Sequence, residues 1–319
     1  MSMGSARPIS VATVWQARQR VYRYARITPL FQTRDLYLKL ENLQPIGAFK
    51  IRGATNFILK NLENAGRGVI TASSGNHGMA VAFVSLNEKI PCTVVIPENA
   101  PEVKINAIQS YGARIIRAGK TADERFSVAT DLAKKEDLLF VPSYDHPDIM
   151  AGQGTLGIEL LLQNPEIRVV YVPVSGGGLI SGIALAIKCL DPSIRVIGVE
   201  PENIRRYARS RAAGHPVTVD SIHTIADGLR VQTPGQHTWP VIQTYVDDFI
   251  AVRDDEIIDA IRWCAREARQ YVEPSGAAAV AGALKDARDK PAVAIVSGGN
   301  VDPTFYARYI VPTDPTAQI

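Results

Sequence analysis

Short β-branched runs alternate with helix-patterned segments through most of this chain, and no other feature restricts its fold so far. From Gly68 onward, Val69–Ala72 reads as a strand, Gly78–Leu86 as a helix and Cys92–Ile96 as a second strand. The segments Glu102–Tyr111, Arg114–Arg117, Asp123–Lys135 and Leu138–Val141 continue as helix, strand, helix and strand. A second series begins at Ala151, with helix Thr155–Gln163, strand Val169–Val174, helix Leu179–Leu190, strand Arg195–Glu200 and a helix to Ala212. After a Pro- and Gly-rich stretch, His215–Pro240, that reads as irregular, the pattern resumes. It gives strand Phe249–Val252, helices Glu256–Val272 and Gly276–Lys285, and strand Ala292–Val296. Such an order demands parallel sheets with right-handed crossovers. Two series predict an α/β chain of two domains, each an open, mostly parallel twisted sheet covered by helices. Ligands in such folds sit beyond the carboxyl ends of the strands, here in the interdomain cleft. The polar tail after Val311 reads as frayed.

Composition narrows the partners. The 319 residues are 46% hydrophobic and 21% charged, as in soluble globular proteins. A net charge of +3 without a long basic run argues against nucleic acid. Cys92, Cys189 and Cys264 are odd in number and lack CxxC spacing, so buried thiols in a reducing compartment fit better than disulfides or zinc. Met1–Ser10 has no apolar run of the secretory kind. Val169–Ile187 is 19 residues without a charge, close to the length of a membrane span, but Pro173 and Ser175-Gly176-Gly177-Gly178 interrupt it. A cytoplasmic protein with no membrane partner is expected.

Four motifs carry chemistry, and all lie after predicted strands or at helix starts. Lys50, in Pro45-Ile46-Gly47-Ala48-Phe49-Lys50-Ile51-Arg52-Gly53-Ala54, is a lysine among apolar residues and glycines. Such a lysine loses solvation, and with it its proton, and becomes a nucleophile or base near neutral pH. Taken alone it reads equally well as the opening of an amphipathic helix through Ile51, Ala54, Phe57 and Ile58. Ser175-Gly176-Gly177-Gly178-Leu179 joins a strand to a helix and offers bare amides at a positive helix end, an anion cradle. Its rival is a dinucleotide fingerprint of Gly176, Gly178 and Gly182 with Glu200 beyond, which would make the chain a nicotinamide-dependent dehydrogenase; the spacing is GxGxxxG rather than GxGxxG. Thr71-Ala72-Ser73-Ser74-Gly75-Asn76-His77-Gly78 groups hydroxyls, an amide side chain and a glycine where a carboxylate can bind. A plain N-cap explains part of it, and His77 reads as a structural hydrogen-bonding residue sooner than as a base. Ser297-Gly298-Gly299-Asn300 ends the last strand, where the Ser297 hydroxyl can donate to a heterocyclic nitrogen or merely to backbone.

In this order, with Ala151-Gly152-Gln153-Gly154-Thr155 and Ala226-Asp227-Gly228 between them, the motifs resemble the serine/threonine dehydratase and serine racemase family. These are fold-type II pyridoxal phosphate enzymes akin to the tryptophan synthase β chain, and the resemblance covers essentially the whole chain. It implies a discontinuous large cofactor domain, residues 1–67 and 146–319, and a small substrate-loop domain, residues 68–145. By resemblance Lys50 bonds the cofactor aldehyde and Phe49 packs against the cofactor. Ser175, Gly176, Gly177, Gly178 and Leu179 hold its phosphate, Asn76 its ring oxygen and Ser297 its pyridine nitrogen. Ser73, Ser74, Gly75, Asn76 and His77 match the loop that receives the substrate carboxylate, and Arg125 falls where members place a carboxylate-binding arginine.

The implied activity is dehydration of a small β-hydroxy amino acid, L-threonine or L-serine, to a 2-oxo acid and ammonia. Ser74 keeps serine racemisation as the alternative, because a hydroxyl at that loop position is the second base of the racemases; dehydration of 3-hydroxyaspartate is another. A homodimer is implied, and no amino-acid-sensing domain is expected after Ser297. The sequence departs from the family twice. Ser175 stands where many members have a glycine. Some relatives hold a divalent cation between a glutamate and an aspartate six residues on; here these positions are Glu200 and Arg206, so no metal is expected, and Arg206 is expected to pair with Glu200.

Overall fold

The computed structural model describes residues 8–310 apart from 35, 101, 120, 222, 287 and 288; the tail after Val311 lies outside them. The chain opens with helix α1 (Val11–Val21), strands β1 (Leu30–Gln32) and β2 (Tyr37–Leu40), and helix α2 (Lys50–Lys60). Then β3 (Val69–Ala72), α3 (Asn76–Glu88), β4 (Cys92–Ile96), α4 (Glu102–Gln109), β5 (Arg114–Arg117), α5 (Ala122–Glu136) and β6 (Leu139–Phe140) alternate as the sequence pattern requires. The second series is α6 (Pro147–Gln163), β7 (Val169–Pro173), α7 (Gly178–Leu190), β8 (Arg195–Pro201) and α8 (Arg206–Ala213). It closes with α9 (Thr238–Tyr245), β9 (Asp248–Val252), α10 (Asp254–Trp263), α11 (Pro274–Lys285), β10 (Ala292–Val296) and α12 (Pro303–Ile310).

Two sheets result. One is four-stranded and wholly parallel, in the order β5-β4-β3-β6. The other has the order β1-β2-β10-β7-β8-β9 and is parallel except for the β1–β2 pair at its edge. Every residue of β4, β7 and β10 is buried, as parallel strands covered by helices on both faces must be. The edge strand β5 instead exposes Arg114 and Arg117, charges that discourage further pairing. Among the described residues no helix is long and apolar enough to cross a membrane.

The structure corrects the expected elements in three places. Helix α6 starts at Pro147, eight residues before the expected Thr155. Its glycines do not break the helix; they let neighbouring helices touch it. A Cβ on Gly152 would stand 2.6 Å from the Arg52 carbonyl of α2, and one on Gly154 2.8 Å from the Gly182 carbonyl of α7. Helix α9 falls partly in the stretch expected to be irregular. Its start is capped from far away, since the Asp145 carboxylate accepts the N–H groups of Gln236, His237 and Thr238, and no local pattern reveals such a cap. The helix expected over Glu256–Val272 ends early: after α10 comes a π-turn, Cys264–Ala268, closed by Arg269 at φ 53°.

Candidate active site

Lys50 is the first residue of α2, and the chain just before it is sewn to the loop after β10. The Phe49 N–H donates to the Ser297 carbonyl (3.0 Å), Gly299 N–H donates to the Gly47 carbonyl (2.9 Å), and Ala48 bridges Gly298. Gly47 adopts φ +71°, and a side chain there would also run into Asn300. Lys50 Nζ donates to the Ser143 carbonyl at 2.6 Å, and among the described residues no carboxylate pairs with it. Burial alone therefore sets its basicity, which falls from 10.5 to about 8. An amine poised there is a nucleophile near neutral pH.

The loop after β7 supplies the anion cradle. Gly177 sits at φ +92°, and a side chain on Gly176 would collide with the ring of Tyr144. The amides of the first turn of α7 have no partner within the helix, so they and the helix dipole favour a negative group at this end. Thr238 Oγ1 and Tyr207 Oη both donate to the Gly176 carbonyl, at 2.9 and 2.8 Å.

Across the cleft, the β3–α3 loop presents Ser73, Ser74, Gly75, Asn76 and His77. Gly75 precedes α3 and no side chain caps that helix, so its leading amides are open to a carboxylate. Gly75 N–H itself donates to Ser73 Oγ (3.3 Å). The Ser74 hydroxyl makes no hydrogen bond to any described residue. His77 is buried and its Nε2–H donates to the Val141 carbonyl at 3.2 Å. Burial, with Lys50 nearby, lowers its pKa to about 3, so the ring is neutral and points away from proton chemistry.

Glu273 is the residue that sequence reasoning missed. Its Oε1 accepts from Asn76 Nδ2 (2.8 Å) and its Oε2 from Asn300 N–H (3.0 Å), while Asn300 Nδ2 donates to Asn76 Oδ1 (2.8 Å). Asn76 keeps one amide hydrogen for a ligand. Burial, then Asp227, raise the Glu273 carboxyl to about 8, so it is protonated at neutral pH. A lone acid between apolar Val272 and Pro274, which opens α11, was the available signal. Ser297 is buried and its hydroxyl donates to the Ser275 carbonyl at 3.4 Å. Half-buried Arg125, on α5, has its guanidinium pKa lowered by burial.

Every site residue named from the sequence lines one cavity of about 890 Å³ between the two sheets. Tyr144, Gln153, Asp227 and Glu273 join them there. Glu200 and Arg206 attract each other's charge but do not make the expected direct ion pair: both Glu200 oxygens are taken by the Tyr207 and Ala208 amides at the start of α8, 3.0 Å each, and Arg206 turns to the glycine loop. A carboxylate so engaged and 1% exposed cannot meet a ribose, which removes the dehydrogenase reading.

Comparison with known proteins agrees with this geometry. The family profile described as "Pyridoxal-phosphate dependent enzyme" matches residues 15–298. The chain is 41% identical over 309 residues to the serine racemase of Oryza sativa subsp. indica, covering 92% of this chain and 91% of that one. It is 41% identical over 279 residues to the L-threonine ammonia-lyase of Thermotoga maritima, covering 86% and 70%. The solved structure of maize serine racemase superposes with a TM-score of 0.90 at 39% identity, covering 94% of this chain and 96% of that chain. Pyridoxal phosphate suits the residues present: a glycine cradle that side chains would fill, a half-buried amine with no carboxylate partner among the described residues, and a buried serine hydroxyl lining the same cavity.

Proposed function

Because the chain belongs to the family of pyridoxal-phosphate dependent enzymes, we propose that it is an ammonia-lyase of β-hydroxy amino acids, turning L-threonine or L-serine into a 2-oxo acid and ammonia. The observation that carries the reading is the Lys50 amine, half-buried, hydrogen-bonded only to a carbonyl among the described residues and lowered to about 8, in one cavity with a loop of open helix amides. Pyridoxal phosphate supplies the aldehyde that takes up the substrate amine and the electron sink for the charge left when the Cα proton departs. The chain's residues do the rest. The β3–α3 loop receives the substrate carboxylate on the α3 amides and on Ser73 and Ser74, which fixes Cα in place. Lys50, as the neutral amine, removes the Cα proton. The β-hydroxyl leaves as water, and addition of water with loss of ammonia completes the 2-oxo acid. In this reading Ser175–Leu179 hold the phosphate, Asn76 the ring oxygen and Ser297 the ring nitrogen. A neutral serine there does not force ring protonation, which favours prompt elimination over transamination.

One observation favours serine racemisation as a second reading. Ser74 lines the cavity with its hydroxyl free of hydrogen bonds, and racemisation needs a second proton carrier besides Lys50. The test is to supply L-serine, L-threonine and L-threo-3-hydroxyaspartate and to measure oxo acid and D-serine separately. Oxo acid is expected to form faster; D-serine outpacing pyruvate reverses the order. Ser74→Ala is expected to abolish D-serine formation, while dehydration persists with weaker substrate binding because one carboxylate contact is lost. Loss of hydroxyaspartate turnover alone in Arg125→Ala would place a second substrate carboxylate at that guanidinium.

A further inference from the structure

The glycine loop is gripped from behind. Arg206 Nη2 donates to the Val174 carbonyl at 2.6 Å and Arg206 Nε to the Ser175 carbonyl at 2.9 Å. The next residue, Tyr207, takes the Gly176 carbonyl through its hydroxyl, helped by Thr238. Three successive carbonyls thus point at α8 and α9. In a trans peptide the N–H opposes the C=O of the same unit, so the amides of Ser175, Gly176 and Gly177 point the other way, and none of the three donates to a described residue. A loop without this grip would be free to turn those carbonyls, which repel an anion, toward the cavity.

Arg206 is fully buried, and its Nη1 has no hydrogen-bond partner among the described residues. Burying an incompletely satisfied guanidinium costs stability, and the Glu200 carboxylate that would match it is spent on the amides of Tyr207 and Ala208. The donor set also rejects the divalent cation that some relatives carry here. Such an ion needs six or more oxygens, whereas the guanidinium brings only N–H donors and consumes both loop carbonyls. Among the described residues no group of three or more His, Cys, Asp or Glu side chains could hold a metal.

We infer that Arg206 is the positioning residue of the phosphate cradle: a tethered cation that holds the Val174 and Ser175 carbonyls outward, aims the loop amides at the cofactor phosphate and makes the cradle independent of divalent ions. The inference rests on the glycine loop being the phosphate site. The test titrates the full chain, freed of cofactor, with pyridoxal phosphate and with pyridoxal, which lacks the phosphate. Arg206→Met is expected to weaken pyridoxal phosphate binding by at least about tenfold while pyridoxal affinity moves less than about twofold. Arg206→Lys, which keeps the charge but loses the fork, is expected to fall between. Equal losses for the two ligands would mean a merely structural role, and unchanged pyridoxal phosphate binding would likewise overturn the inference. Should Arg206→Met not fold, Arg206→Lys decides by the same contrast. In the unmutated chain, magnesium, calcium or a chelator is expected to leave affinity and Tm unchanged, and a gain with either ion counts against the claim. Failure of the unmutated chain to bind either ligand would instead sink the cofactor site itself.

Discussion

Two charge sites meet at the start of α2, built from similar residues and opposite in behaviour. In the first, Arg52 donates to both Glu41 (2.7 and 2.8 Å) and Glu159 (2.5 and 3.0 Å). Lys39 Nζ donates to Glu159, to Gln163 and to the Thr28 carbonyl, so all three of its protons are used. In the second stand Lys50, with one carbonyl, and Glu273, with two amide donors and no cation bonded to it among the described residues. Burial lowers both lysines, but Glu159 and Glu41 pull Lys39 back, and nothing pulls Lys50 back. Burial raises both Glu41 and Glu273; Arg52 overcomes it at Glu41, whose carboxyl ends below the ordinary range, while Glu273 ends near 8. The partners a desolvated charge keeps do much to decide whether it is inert or reactive. The paired site anchors the helix, and the unpaired one works at its end.

The sharpest way to break this contrast is to remove one member of each site. On the proposed function, Lys50→Ala is expected to lower 2-oxo acid release from L-serine and L-threonine by at least about a thousandfold. It should also abolish borohydride labelling at that position. Its unfolding free energy in urea should stay level or rise, because an unpaired buried amine is gone. Arg52→Leu should do the reverse to stability. It leaves two buried carboxylates with Lys39 alone, a loss of about 3–5 kcal/mol. If urea unfolding shows equal cost at both positions, the distinction fails.

The sequence showed the working side of this contrast better than the anchoring side. Strands such as Cys92–Ile96, apolar but for β-branched Thr93, and the wholly apolar Ala292–Val296 are matched residue for residue by the elements. Lys50, the glycine loop and Ser73–Gly78 are local strings, legible because strand ends and helix starts place them at one cleft. What stayed hidden depends on distant partners. Helix α9 needs Asp145 as its cap, the early start of α6 needs glycines that pack on α2 and α7, and α1, β1 and β2 lack a clear period. Glu273 looks like an isolated charge in the sequence and Arg206 like one of a basic run; only the fold gives one two amides and the other two carbonyls.

Acidity offers a finer test of the unpaired site, read on the chain freed of cofactor. Between pH 4.5, the ordinary value for a glutamate, and about 8, folded Glu273 holds a proton that the unfolded chain has released. Folding stability should therefore fall as pH rises through that window, by a few kcal/mol in order of magnitude. Glu273→Gln should flatten this slope. From about 8 to 10.5 the sign inverts, because unfolded Lys50 keeps a proton the folded amine has lost. Stability should rise there, and Lys50→Met should remove the rise. Urea midpoints across pH measure both, and a slope that survives each substitution would assign it elsewhere.

The smallest effect is expected where a charge pair is neither buried nor alone. Lys104 Nζ meets Asp227 at 2.5 Å across the mouth of the cavity, linking α4 of the four-stranded sheet to the Asp227-Gly228 loop beside α11. The two side chains are 36% and 46% exposed, so water competes for both ions and salt screens them. Lys104→Ala should therefore change the unfolding free energy by less than about 1 kcal/mol, and concentrated salt should erase even that. Distance alone would rank this pair with Arg52 and Glu159, which is also 2.5 Å. A loss in Lys104→Ala comparable to that in Arg52→Leu would show that contact length governs these pairs, against the assignment of the difference to desolvation and to the number of partners each charge keeps.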